Sequence, residues 1–423
     1  MQANQANRTA GARPPARGRR RTRAGTVRMS ASGAAMSATD SSAKSPGRCF
    51  AEIDLDRLRG NAAVCRSLVG ADCGILAVVK ADAYGHGLAR VAAALANSVE
   101  WFGVANLAEA RRARSAVGEG CGILLLSPAL PDEVDAIVGE GFSASVSLPQ
   151  EVDAFAAAAR RRNGVARLHA VVDTGMGRMG SRPEEFLALL ERIRRDRHCL
   201  LEGVSSHFPS ADEDAVFTRD QIARFVELLR ETTPGPGCLV HLGNSAGLLG
   251  YAAETPFATL VRPGLALYGV SPLGTPLSGV DSGSGAALRP VMRLATWVAL
   301  VRDLPAGSSV SYGRTYVAPR ALRAATLAVG YGDGYPRHLS GSGAEVLVGG
   351  RRCPLLGRVT MDQIVVDVSG LGAVSAGDEA VLIGRQGDEE ITASELAERA
   401  GTIPWEIFTG ITARVGRFYR PDS

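Results

Sequence analysis

Lys80 is the residue of this chain best suited to covalent chemistry. The sequence holds 47 basic residues, yet only Lys44 and Lys80 are lysines. A GC-rich coding bias turns lysine into arginine wherever charge alone matters, so a lysine kept against that bias points to a need for an amine. Arginine stays protonated, whereas lysine can shed its proton and form a Schiff base. Lys44 lies in a basic N-terminal tail, which leaves Lys80 as the single lysine of the remaining chain. Other reactive types gather in short segments. Lys80 runs into Ala-Asp-Ala-Tyr84-Gly-His-Gly, and Asp173 opens Asp-Thr-Gly-Met-Gly-Arg178. His207 follows Ser206, His241 leads to Asn244 and Ser245, and Arg262 precedes Gly264 and Leu265.

The elements that must carry these segments alternate. Short β-rich apolar runs fall at Gly74–Lys80, Trp101–Ala105, Gly122–Leu126, Phe142–Val146, Arg167–Val172, Leu201–Ser206, Leu239–Leu242 and Ala258–Arg262. Amphipathic stretches such as Leu88–Ala96, Glu151–Arg162, Pro183–Arg195 and Thr218–Arg230 lie between them. Eight strands alternating with helices predict an α/β fold, a (β/α)8 TIM-like barrel. An open doubly wound sheet is the alternative, but no GxGxxG follows the first strand. After about Gly283 the pattern turns to strands, at Leu288–Val301, Ala324–Val329, Glu345–Val348, Gln363–Val368 and Glu379–Ile383, with one helix at Ala393–Ala400. The expected organisation is a disordered tail at 1–47, a barrel at 48–283 and a mostly β C-terminal domain at 284–423.

Composition excludes several classes. Eight arginines precede the first acidic residue, Asp40, and beyond the tail the charge is near balance. Nucleic-acid binding by the folded part is therefore not expected. No apolar run is long enough to span a membrane. The seven scattered cysteines include no CxxC pair, so a reduced compartment is expected, without metal site or disulfide framework. The Arg- and Ser-rich tail resembles an organelle transit peptide. The alternatives are a plain solvated tail or a later start at Met29 or Met36. Localisation is thus cytoplasmic, or stromal or matrix if the tail is a transit peptide.

In such a barrel the active site lies at the C-terminal ends of the strands, where all five segments fall, and phosphate commonly binds in the loops after strands seven and eight. Ser245 and the backbone N–H groups around Gly264 and Leu265 suit that task. A phosphate-bearing cofactor beside one reactive lysine suggests pyridoxal 5'-phosphate (PLP).

At this point the residues match a known family. Ala77-Val-Val-Lys-Ala-Asp-Ala-Tyr-Gly-His-Gly87 resembles the PLP-attachment motif of alanine racemases, which are PLP-dependent enzymes of fold type III. Val172-Asp-Thr-Gly-Met-Gly-Arg178, His241-Leu-Gly-Asn-Ser245, Val261-Arg-Pro-Gly-Leu-Ala-Leu-Tyr-Gly269, Val310-Ser-Tyr-Gly-Arg-Thr-Tyr316, Val329-Gly-Tyr-Gly-Asp-Gly334 and Val359-Thr-Met-Asp362 follow in the family's order. The resemblance implies an isomerase that interconverts L- and D-alanine, in a homodimer whose active sites are shared between subunits, supplying D-alanine for peptidoglycan. It implies two bases, Lys80, which also holds the cofactor, and Tyr312 from the other subunit. Cofactor contacts would come from Tyr84, Arg178, His207, Asn244, Ser245, Arg262, Gly264, Leu265 and Trp405, with Arg262 at the ring nitrogen and His241 beside it. Arg178, Met361, Asp362 and Tyr331 would bound the substrate. Two positions depart from the family. Val171 stands where a carbamylated lysine is frequent, so a chloride or another carboxylate is expected beside Arg178. Trp405 replaces a phosphate-contacting tyrosine. A serine or broad-specificity racemase, a PLP decarboxylase and a non-catalytic PLP-binding protein are the rival readings.

Overall fold

The computed structural model describes residues 47–273 and 287–420. The tail, with the expectations attached to it, and the expected domain junction at 283/284 lie outside these residues. The first strand, β1 (Cys49–Asp54), leads into the helix Leu55–Ser67, whose first turn is capped by the Asp54 carboxylate accepting the Arg57 N–H. Eight parallel strands follow: β2 (Gly74–Val78), β3 (Trp101–Val104), β4 (Gly122–Leu125), β5 (Ser143–Val146), β6 (Ala166–Val171), β7 (Cys199–Ser205), β8 (Leu239–His241) and β9 (Leu260–Val261). Each of β2 to β7 pairs with its successor, and β9 pairs back onto β2. Backbone hydrogen bonds from Thr259 N–H to Val240 O (2.9 Å) and from Arg262 N–H to Gly243 O (2.8 Å) close the ring between β8 and β9. Helices pack outside through apolar stripes at helical spacing. In Pro183–Arg195 the stripe is Phe186, Leu189, Leu190 and Ile193, all buried. The expected barrel is therefore present, and its eight strands fall within the predicted runs or a few residues from them.

The C-terminal part is a largely antiparallel sheet built on one long strand, β10 (Met292–Leu304). The remaining strands are β11 (Ser309–Val310), β12 (Tyr316–Val317), β13 (Leu322–Leu327), β14 (Glu345–Val348), β15 (Arg351–Pro354), β16 (Ile364–Asp367), β17 (Glu379–Gln386), β18 (Glu389–Ile391) and β19 (Gly416–Arg420). β10 pairs with β1, β13 and β17. Here the expected organisation needs correction. β1, placed by the sequence in the barrel segment from 48 onward, is a strand of this second sheet. It lies antiparallel to β10, with Ala51 opposite Leu294, and parallel to β19, with Ala51 opposite Arg417. Its partners lie hundreds of residues downstream, so no local pattern announces the pairing. The helices Ala393–Ala400 and Pro404–Gly410 complete this part, and no described helix is long and apolar enough to cross a membrane.

Asn61 ties the two parts together. Its fully buried amide donates to Leu267 O (3.0 Å) and Arg289 O (2.9 Å), and its Oδ1 accepts the Arg289 N–H (2.8 Å). Asn61→Ala would strand the buried Leu267 carbonyl and the part-buried carbonyl and N–H of Arg289. Unfolding in denaturant should show a loss of roughly 2–4 kcal/mol, whereas a loss below about 0.5 kcal/mol, ordinary for a surface position, would mean the bridge carries no weight.

Candidate active site

β2 ends at Val78, and the chain then does something unusual. Ala81, Asp82, Ala83 and Tyr84 all have φ between 52° and 56°, followed by Gly85 at 75°. This is a left-handed helical turn, closed by Ala83 N–H to Val79 O (2.8 Å) and Gly85 N–H to Ala81 O (3.0 Å). Such a conformation costs roughly 1–2 kcal/mol per non-glycine residue, so its surroundings must over-determine it. They do. The Glu109 carboxylate accepts the N–H groups of Ala81 and Ala105, both at 2.8 Å. Asp82 accepts the Leu88 N–H and pairs with Arg112 at 2.6 Å. From β19, Arg417 donates to Gly85 O (3.0 Å) and the Tyr419 hydroxyl to His86 O (3.1 Å). His86 donates through Nδ1 to the carbonyls of Ala83 and Tyr84, stacks on Tyr268 and meets the edge of Phe408. Burial pushes its pKa down to about 4, so it stays neutral. At Gly87 a Cβ would sit 1.9 Å from the Tyr419 hydroxyl, so only glycine admits this clamp.

Lys80 opens the turn and faces a cavity of about 730 Å³ at the C-terminal ends of the barrel strands. Its ammonium is held below the ordinary lysine range, first by burial and then by Arg178, with Glu109 opposing. Tyr84, Arg178, His207, Asn244, Ser245, Arg262, Gly264, Leu265 and Trp405 line the same cavity, as does Val171. Arg262 is buried, and its guanidinium is lowered to about 10 by desolvation and by Arg178. It donates to His241 Nδ1 (2.6 Å), Ser206 O (2.7 Å), His207 Nδ1 (3.1 Å) and Leu242 O (3.2 Å). Burial, then Arg262, push His207 down to about 3, so its ring is a neutral acceptor at Nδ1.

Also in the cavity lining, the Ser245 hydroxyl accepts the N–H groups of Gly264 (2.9 Å) and Ala266 (3.2 Å). A Cβ at Gly264 would lie 2.5 Å from the Tyr84 hydroxyl, so any side chain there would displace the end of that ring. That hydroxyl finds no hydrogen-bond partner among the described residues. The Asn244 amide is committed to the fold. Its Oδ1 caps the Gly247 N–H and its Nδ2 donates to Phe208 O. Asp173 is likewise spent on the loop before Arg178, accepting from Gly175, Met176 and Gly177. Arg178 has no ion-pair partner among the described residues, although Asp212 and Glu213 stand in the cavity wall.

Of the site residues expected from the second domain, only Trp405 lines this cavity; Tyr312, Tyr331, Met361 and Asp362 fall outside it. Tyr312 is 72% exposed, and Tyr331, Met361 and Asp362 are also exposed. Tyr331 and Met361 belong to one hydrogen-bonded loop pair, with Tyr331 N–H on Thr360 O and Gly332 N–H on Met361 O. Asp362 pairs with Arg414 at 2.7 Å. Within one chain these residues do not meet Lys80. Several cavity supports escaped the sequence reading. Gln221 donates to Thr174 Oγ1 and His207 O, joining two loops, while Glu109, His169 and Glu202 act from behind the wall. Nothing in their spacing sets them apart from ordinary helix or strand residues.

Comparison with known proteins decides the family. The profile of the alanine racemase N-terminal domain matches residues 53–272, and that of the alanine racemase C-terminal domain matches residues 291–419. The chain belongs to the alanine racemase family. It is 42% identical over 385 residues to an alanine racemase of Geobacter sulfurreducens, covering 88% of this chain and 97% of that protein. The crystal structure of alanine racemase from D-cycloserine-producing Streptomyces lavendulae is 38% identical, with a TM-score of 0.81 over 90% of this chain and 99% of the other. A crystal structure of alanine racemase from Bartonella henselae with covalently bound pyridoxal phosphate is 28% identical, with a TM-score of 0.79 over 89% and 100% of the two chains. Both halves of this racemase-family chain thus have counterparts in solved structures.

The environment of Lys80 leads to a direct test. A lowered pKa means that the amine is free at lower pH than in an ordinary lysine, about 10.4. Trace acetylation of the cofactor-free protein, with a lysine model compound in the same tube, should show the Lys80 profile displaced to lower pH. Coincident or higher profiles would contradict the electrostatics described.

Proposed function

We propose that this chain racemises alanine with pyridoxal phosphate held on Lys80, and that two copies share each active site. One observation carries the reading. The only lysine of the described residues faces a cavity that Ser245, Gly264 and two arginines also line, whereas Tyr312 is exposed and outside that cavity. A second base drawn from Tyr312 must therefore come from another copy.

The cavity fits the cofactor. Tyr84, Ser245 and the backbone at Gly264 and Leu265 would hold its phosphate, where a missing side chain lets the backbone approach. Arg178 would face its phenolic oxygen and Arg262 its ring nitrogen. When bound, pyridoxal phosphate joins the amino acid through its aldehyde and acidifies the Cα–H. Lys80 then moves the proton on one face of Cα. Tyr312 of the partner subunit moves it on the other, because one fixed base cannot reach both faces. Arg262 donates a hydrogen bond to the ring nitrogen without releasing a proton, which keeps that nitrogen unprotonated and disfavours protonation at the wrong carbon. Met361 and Asp362 of the partner subunit would bound the substrate, with Tyr331 at the entrance.

Chiral analysis of products from a panel of L- and D-amino acids tests the substrate. Equilibration of alanine should dominate. Faster turnover of serine, or release of carbon dioxide, would replace the proposal. The shared site is tested by mixing. Lys80→Ala and Tyr312→Phe homodimers should both be badly impaired. After subunit exchange, half the dimers are mixed and each has one intact site, so activity should recover to about a quarter of wild type by symmetric counting. No recovery, with exchange proven by a mass tag, would place Tyr312 outside the shared mechanism.

A further inference from the structure

Behind the cavity wall a polar chain runs through the barrel interior. None of the groups to which Arg262 donates is anionic. Beyond them, His241 Nε2 lies 2.8 Å from His169 Nδ1, and His169 Nε2 lies 3.3 Å from Glu202 Oε2. Both rings are fully buried. A guanidinium can only donate, so His241 Nδ1 accepts and a neutral His241 carries its proton on Nε2. That N–H donates to His169 Nδ1, which leaves the proton of His169 on Nε2, pointing at the Glu202 carboxylate. Every bond of the chain therefore runs in one sense, from Arg262 to Glu202.

The backbone is shaped for this contact in two independent ways. β6 and β7 pair Leu168 with Leu201 and then His169 with Gly203, so Glu202 is the extra residue of a bulge. Bulges re-aim a side chain near functional sites. At Gly203 a Cβ would lie 2.4 Å from His169 Nδ1, so the ring occupies space that only glycine leaves open. Glu202 also accepts from the Ser143 hydroxyl and from Arg167 (2.9 Å). Burial alone would raise its pKa, but these bonds and that from His169 hold it below the usual carboxylate range.

We propose that Glu202, acting through His169 and His241, is a positioning residue for Arg262. It supplies the remote negative charge that the arginine lacks among its direct partners, and it polarises the chain so that the guanidinium is held as a donor toward the cavity. The proposal rests on the reading that Arg262 faces the cofactor's ring nitrogen.

The first test needs no cofactor. In the cofactor-free protein labelled with 15N-histidine, His169 and His241 should both carry the proton on Nε2, and Nδ1 protonation of either ring overturns the proposal. The second measures PLP dissociation constants. The near-isosteric Glu202→Gln should weaken PLP about tenfold, the scale of losses behind a ligand shell, and Glu202→Asp, which keeps the charge, should restore most of it. In an Arg262→Lys background, Glu202→Gln should change affinity by less than about twofold, because residues of one network are not additive. An equal loss in both backgrounds would make Glu202 a packing residue and overturn the proposal. If Arg262→Lys alone leaves both the affinity and the visible spectrum of bound PLP unchanged, the reading of Arg262 fails and the proposal with it.

Discussion

The left-handed turn from Ala81 to Tyr84 is the constraint on which the site depends. It carries a cost of several kcal/mol, and no single element offsets it. The barrel contributes Glu109 and Asp82, the second domain contributes Arg417, Tyr419 and Phe408, and His86 is wedged between them. The turn that carries the lysine is thus held by hydrogen bonds from both domains. This explains why β1, at the start of the chain, is built into the far sheet beside β19. The pairing brings the C-terminal strand against the loop that carries Lys80.

Charge is the second theme. Lys80 and Arg262 are both lowered by burial and by the neighbouring Arg178. Such a cavity favours an anionic occupant and a free amine, both of which PLP chemistry requires. It also penalises any histidine that would take up a proton, and His207 and His241 stay neutral. Their neutrality gives each ring one donor and one acceptor, so hydrogen-bond direction is imposed by the arginine instead of fluctuating with pH.

Much of this was legible in the sequence. The barrel strands alternate with helices because each strand is short, apolar and buried, and each helix shows an apolar stripe. Those are local signals. The strand ends can be counted off, so spacing alone assigns the residues from Lys80 to Leu265 to one rim. Trp405 was legible only through resemblance, because the helix Pro404–Gly410 reaches the cavity from another domain. Less legible was β1, whose partners are remote, and least legible was Glu202. A bulge is a mismatch between two strands and leaves no mark in either strand alone.

The sequence by itself determined the chemistry on offer. Beyond the basic tail one amine survives in a chain otherwise stripped of lysine, and it stands among motifs that carry two arginines and a serine and glycine suited to a phosphate. These are properties of residue type and spacing, and they hold before the chain folds. Tertiary structure decided what those groups can do. It lowered the lysine by burial, aimed it through a turn that isolated residues would not adopt, and left Tyr312 exposed and outside the cavity that Lys80 faces. Burial, strain and direction are relations between distant segments, and only the packed chain has them.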